Sequence, residues 1–270
     1  MGKRDELHAK HERLRQIVKD TGGMVVAFSG GVDSTYLLKV ASDVLGPGVL
    51  AVSAMAAAFP RRELDEAEQF CAVQGVGQVV FPFCELAVEG FCDNPPDRCY
   101  LCKKALFSEI WEVARSHGFS VVADGSNLDD EGDYRPGMRA LAELGVRSPL
   151  REAALTKADI RELSRELGLP TWSKPSFACL ATRIPYGEQI TEERLSMVDR
   201  AEQYLIDRGF AQVRVRLHGG TLGRIEVLPE DFGRAVSLHD EIAAAMGEFG
   251  FLYSALDLTG YRTGSMNRAL

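Results

Sequence analysis

The chain has 270 residues, 39 acidic against 31 basic side chains, a formal net charge of -8 and 46% apolar residues. That length fits one large domain or two modest ones, and the apolar share excludes a disordered or fibrous chain. The acidic balance argues against a general nucleic-acid coat, which needs a basic surface, yet leaves room for a local basic pocket.

In chain order, Lys3 to Asp20 reads as a charged amphipathic helix with Leu7, Leu14, Ile17 and Val18 as its apolar stripe. Met24 to Phe28 is a continuous apolar run, expected as a strand buried on both faces. Ser34 to Leu45 is a helix ended by Gly46-Pro47-Gly48, and Val49 to Ser53 a second strand. A helix over Arg61 to Gln74, a strand over Gln78 to Phe81, a helix over Lys103 to His117 and a strand over Ser120 to Ala123 follow. Strand alternating with helix predicts a parallel α/β sheet covered on both faces, with ligands beyond the carboxyl ends of its strands. Thr156 to Leu167 is a further helix, capped by Thr156 with Asp159 three positions on.

Leu169 to Ile190 lacks periodicity, and a connection that long is often functional. Beyond it a helix over Thr191 to Arg208, strands over Gln212 to Leu217 and Arg224 to Leu228, a helix over Asp231 to Met246 and a strand over Phe251 to Leu256 give a different, α+β order. The expected division is residues 1–180 and residues 181–270.

No apolar run approaches the roughly 20 residues that cross a bilayer. The charged stretch from Lys3 to Arg15 holds no secretory core, and Glu6 stands where a myristoylation signal wants Ser or Thr. A cytoplasmic protein is expected. The six cysteines (Cys71, Cys84, Cys92, Cys99, Cys102, Cys179) are then buried thiols, metal ligands or reactive groups rather than a disulfide framework. Cys71, on an amphipathic helix, reads as core.

The strongest chemical signal is Ser29-Gly30-Gly31-Val32-Asp33-Ser34, between a buried strand and a helix. Such a loop turns N–H groups toward an anion and adds the helix dipole. Gly30 and Gly31 permit close approach, Ser29 and Ser34 can donate to phosphate oxygens, and Asp33 can hold Mg²⁺ or cap the helix. The Gly-Lys-Ser/Thr ending of the nucleotide P-loop is absent, so γ-phosphate cleavage is not indicated. A second patch, Asp124 to Asp130, follows the fourth strand and is expected beside this loop. Cys99-x-x-Cys102 can reach one metal or cluster, with zinc ligation or two unrelated thiols as alternatives, and Cys179 can complete a three-thiolate set. Arg183, Arg214, Arg216 and Arg262 can clamp phosphate and carboxylates, or simply be solvated charges.

The hexapeptide resembles the PP-loop of the ATP pyrophosphatase superfamily, which cleaves ATP between its α and β phosphates. The stretch Trp172 to Gly187, with Gly132 to Gly137, Gly145 to Leu150 and Gly260 to Asn267, is similar to the LarE family of ATP-dependent sulfur transferases in nickel-pincer nucleotide synthesis. The resemblance implies a PP-loop α/β domain and a smaller α+β domain for substrate or oligomerisation. It implies adenylation of pyridinium-3,5-biscarboxylic acid mononucleotide, pyrophosphate release and thiocarboxylate formation. Implied ATP contacts are Ser29, Gly30, Gly31, Asp33, Ser34, Ser53, Gly125 and Asn127. Asp33, Asp130 and Cys179 are the implied catalytic set, and Glu202 a metal or substrate contact beside the four arginines, with a simply exposed residue at helical spacing as its alternative.

Single-cysteine members lose sulfur from a cysteine at the position of Cys179, leaving dehydroalanine. This chain instead resembles the three-cysteine subgroup, in which Cys99, Cys102 and Cys179 hold a four-iron, four-sulfur cluster (4Fe-4S) whose open iron carries sulfide. The implied cofactors are ATP, Mg²⁺ and that cluster. The implied partners are the mononucleotide, sulfide, other nickel-pincer biosynthesis proteins and a second copy in a homo-oligomer, with no membrane. A tRNA thiolase is the enzyme alternative, disfavoured by the net charge of -8. A non-catalytic nucleotide-sensing metal module is the other alternative, disfavoured by the intact loop with Asp33.

Overall fold

The computed structural model describes residues 2–132, 136–175 and 178–262. Asp133, Tyr134, Arg135, Ser176, Phe177 and the stretch from Thr263 to Asn267, all within the family-like motifs, lie outside the described residues. The chain forms two compact units, residues 1–56, 61–83 and 99–177 in one, and residues 57–60, 84–98 and 178–270 in the other.

The first unit is a parallel sheet of β1 (Met24–Ala27), β2 (Val49–Met55), β3 (Gly77–Pro82) and β4 (Val122–Ala123), in the order β3-β2-β1-β4. Val26 pairs with Ala51 on one side and Ala123 on the other. Side chains alternate across a strand, so each face carries its own core. Met24, Val26, Ala51 and Ala123 pack with Leu14 of α1 (Lys3–Lys19), Leu37 and Ala41 of α2 (Val32–Leu45) and Phe70 of α3 (Arg61–Gln74). Val25, Val52 and Val122 pack on the opposite face with Phe107, Ile110 and Ala114 of α4 (Arg98–Ser116) and Leu141 of α5 (Gly137–Glu143). A one-turn helix, α6 (Pro149–Glu152), precedes α7 (Lys157–Glu166). The expected α/β architecture is therefore present, and α5 and α6 are additions that the sequence pattern did not reveal.

One boundary differs from expectation for a visible reason. α4 starts at Arg98 rather than Lys103, because the Arg98 N–H closes a turn on the Pro95 carbonyl at 3.0 Å and the helix runs on from there. Cys99 and Cys102 thus occupy its first turn at a spacing that puts them on one face. The α7 start is as read: Thr156 Oγ1 accepts from the Asp159 N–H at 3.2 Å, and the Asp159 carboxylate accepts from the Thr156 N–H at 3.1 Å. Thr156→Ala is expected to destabilise the protein by about 1 kcal/mol, read as a lower urea midpoint at unchanged slope.

The second unit has α8 (Glu192–Asp207) packed on β5 (Val213–His218), which pairs antiparallel with β6 (Leu222–Val227). β6 in turn pairs in parallel with β7 (Tyr253–Leu256). Leu195, Val198, Ala201 and Leu205 are the buried stripe of α8. The single helix expected over Asp231 to Met246 is two, α9 (Phe232–Ser237) and α10 (His239–Glu248). Leu238, at φ -101° and ψ 14°, leaves the helical path between them. Among the described residues no helix is long and apolar enough to cross a membrane.

Candidate active site

The loop after β1 arrives at the carboxyl end of the parallel sheet, where the N-terminus of α2 opens. Gly30 has φ +69°, a conformation that favours glycine, and a Cβ there would meet the Glu63 carbonyl at 3.0 Å. Ser29 Oγ and Ser34 Oγ are 3.1 Å apart, and Ser34 Oγ donates to the Gly31 carbonyl at 3.2 Å. No side chain caps the helix at Gly31, so the first-turn N–H groups stay available for an anion.

Asp33 stands at this helix start. Its Oδ2 accepts from Lys157 Nζ at 2.6 Å, and its buried Oδ1 finds no hydrogen-bond partner among the described residues. Burial pushes its carboxyl above the ordinary aspartate range, against the pull of Lys157, and the charge of Asp130 adds to the rise. A carboxylate oxygen with no hydrogen-bond partner among the described residues, near the charge of Asp130 at a helix start without a side-chain cap, fits a Mg²⁺ site.

The Asp124–Asp130 patch lies where the sequence put it. A Cβ on Gly125 would come within 3.0 Å of the Ser34 nitrogen, so only glycine lets this turn lie flush on the first turn of α2. The Asn127 N–H donates to Asp130 Oδ2 at 2.9 Å, and Asn127 Oδ1 accepts from the Asp129 N–H at 2.9 Å. Asp124 is buried and accepts from Ser126 Oγ and, at 2.7 Å, from Ser148 Oγ. Ser53 faces inward: its hydroxyl donates to the Phe28 carbonyl at 2.7 Å and accepts from Gln78 Nε2 at 2.9 Å. It braces the end of β1 from β2. Sequence reasoning missed Lys157, whose only signal was its place just after the Thr156 cap, and Lys174, which lay unremarked within a family motif.

In the second unit, Arg183 and Glu202 are both fully buried and paired twice, Nε to Oε1 at 2.7 Å and Nη2 to Oε2 at 2.8 Å. Nη1 donates to the carbonyls of Ala178 at 2.8 Å and Cys179 at 3.3 Å. Glu202 Oε1 also accepts from the Val215 N–H at 2.9 Å. Every nitrogen of the Arg183 fork thus has a protein acceptor, and the exposed alternative for Glu202 does not hold. Arg216 is nearly buried, paired with Glu226 at 3.1 and 3.0 Å and donating to the Thr182 carbonyl at 2.7 Å. Arg214, on the same strand face, lies 5.2 Å from the Tyr261 ring, and its pKa is lowered to about 10 by burial and by Arg183. Arg262 is exposed.

Cys99 is exposed and Cys102 half-buried one helical turn on, whereas Cys179 is a half-buried residue of the second unit. Among the described residues no group of three or more His, Cys, Asp or Glu side chains is arranged to hold a metal. The first turn of α4 offers two thiols on one face and fits as two ligands of a cluster. Cys71 is buried, its thiol pushed up to about 12 by desolvation, as expected of core.

The uncapped helix behind a glycine loop, at the carboxyl edge of a parallel sheet, defines a PP-loop fold. A glutamine-hydrolyzing GMP synthase chain of Thermoplasma volcanium is 26% identical over 217 residues, 74% of this chain and 68% of that one. No family model matches the chain. An uncharacterized protein of Synechocystis sp. is 43% identical over 267 residues, 98% of this chain and 99% of the other. Pyridinium-3,5-bisthiocarboxylic acid mononucleotide synthase of Lactiplantibacillus plantarum is 38% identical over 265 residues, 98% and 96% of the two chains. The chain belongs to the family of that synthase, the LarE family.

Proposed function

We propose that this protein adenylates a carboxylate of pyridinium-3,5-biscarboxylic acid mononucleotide with ATP, releasing pyrophosphate, and that sulfur then bonds to the activated carbon as AMP leaves with the oxygen, giving the thiocarboxylate. The observation that carries this reading is the uncapped first turn of α2 beside Asp33 Oδ1, which has no hydrogen-bond partner among the described residues. Family membership supplies the reaction. Ser29, Gly30, Gly31 and Ser34 would hold the pyrophosphate part of ATP, with Gly125 and Asn127 closing the other side. Asp33 and Asp130 would hold Mg²⁺, which supplies neutralising charge to the leaving phosphates. Arg214, Arg216 and Arg262 would receive the phosphate and carboxylates of the mononucleotide, with Arg183 and Glu202 behind them. Residues 1–180 would serve the ATP half-reaction, and residues 181–270 substrate binding and self-association.

The sulfur source is proposed to be a cluster on Cys99, Cys102 and Cys179. Supporting it are the exposed thiol pair on one helical face and a third, half-buried thiol in the long aperiodic segment. Such a cluster, when bound, supplies an iron site at which sulfide can be carried. Cys99, Cys102 and Cys179 would ligate it as thiolates.

Pyrophosphate release that depends on the mononucleotide, followed by mass analysis of the product, tests the reaction. Release without sulfur incorporation, in the presence of sulfide, would overturn the transferase reading. Iron and sulfide quantification of anaerobically purified protein tests the source. Dehydroalanine at residue 179 after turnover, in iron-free protein, would favour the sacrificial route.

A further inference from the structure

Lys174 holds the glycine loop from behind. Its Nζ donates to the Gly30 carbonyl at 3.2 Å and lies 2.9 Å from Glu63 Oε2 and 2.6 Å from Glu66 Oε2. Three acceptors match the three protons of an ammonium group. The side chain is only 11% exposed. Its backbone is fixed by Arg161, which donates to the carbonyls of Trp172 at 2.7 Å and Lys174 at 2.8 Å. Two carboxylates surround one ammonium, so little net positive charge is left to attract phosphate at a distance.

The consequence lies in the next peptide. A trans peptide is planar, so the Gly30 carbonyl and the Gly31 N–H point in opposite directions. With the carbonyl held on Lys174, the Gly31 N–H is turned to the open side of the loop. Its contact there is a long one, 3.4 Å to Ser29 Oγ. Glycine on both sides makes this peptide cheap to rotate, so its orientation needs an external hold.

We propose that Lys174 is a positioning residue of the ATP site: it fixes the Gly30–Gly31 peptide with its N–H facing the incoming pyrophosphate. The proposal rests on the phosphate-binding reading of the loop. The test is calorimetric titration of inorganic pyrophosphate with Mg²⁺ onto wild type, Lys174→Met and Lys174→Arg. Hydrogen–deuterium exchange of the loop in the ligand-free proteins accompanies it. Lys174→Met is expected to bind pyrophosphate about tenfold or more weakly, the scale of one charge-assisted hydrogen bond, and to exchange faster over the loop. Lys174→Arg restores most of both. Equal affinity in wild type and Lys174→Met would overturn the proposal while leaving the loop a phosphate site. Weaker binding with unchanged loop exchange would also overturn it, since Lys174 would then touch the ligand directly. Absence of pyrophosphate binding to wild type would instead refute the phosphate reading itself.

Discussion

Asp33→Ala is expected to reduce substrate-dependent pyrophosphate release by on the order of 10²–10³-fold, the scale for losing one preorganised charge contact in a transition state. The variant removes the oxygen that has no hydrogen-bond partner among the described residues, together with the acceptor of Lys157 Nζ. Folding should not suffer. Burial raises the Asp33 carboxyl above its ordinary range. A carboxylate with a raised folded pKa stabilises the fold below its unfolded value and loses that contribution as pH rises through the folded one. At neutral pH its charge is therefore a burden, and Asp33→Asn should melt at or above the wild-type temperature while losing activity. A lower melting point with normal pyrophosphate release would reverse the assignment, making Asp33 a structural partner of Lys157.

Arg183→Met is expected to destabilise the protein by about 3–5 kcal/mol, because it leaves the fully buried Glu202 carboxylate without its partner. Burial by itself pushes the Glu202 carboxyl up, but the charge and hydrogen bonds of Arg183, the nearby Arg214 and the Val215 N–H outweigh it, and the net direction is downward. The stabilisation is thus in place above the ordinary carboxylate range and is lost as pH falls through the lowered value. Denaturant titrations of Arg183→Met, Glu202→Gln and the double variant at neutral pH measure the pair. Single variants no less stable than wild type would show that water reaches the pair. Arg183 also holds the carbonyls of Ala178 and Cys179. Its loss should therefore change the alkylation rate of the Cys179 thiol, which Glu202→Gln alone should change less.

The parallel sheet was legible because its strands are continuous apolar runs, and the glycine loop because its residue types have few other uses between a strand and a helix. The Asp124–Asp130 patch was located beside the glycine loop by topology, since the ends of neighbouring strands must adjoin, whereas Gly125 within it was singled out by the family resemblance. The roles of the charged residues were not legible. A sequence shows that Arg183 and Glu202 carry opposite charges, but not that α8 and the turn after Cys179 bring them together without water. Ser53 likewise looks like any serine at a strand end until β1 is seen to receive its hydroxyl. Lys174 could not be found by pattern, because its meaning lies in a backbone carbonyl.

The second unit draws residues 57–60 and 84–98 from the middle of the first. During synthesis those pieces emerge well before the segment from Ala178 onward that completes their fold. At ribosomal rates the interval is roughly ten seconds. Arg98, which ends almost fully buried with Asn94 against its guanidinium and the Tyr186 ring 4.9 Å away, spends that time in water. So does the thiol of Cys92, half-buried in the finished fold, which makes the nascent chain more open there to oxidants and to proteases than the finished one. A ribosome stalled once residue 177 has emerged from it should therefore display these segments to cleavage while the sheet of the first unit is already protected.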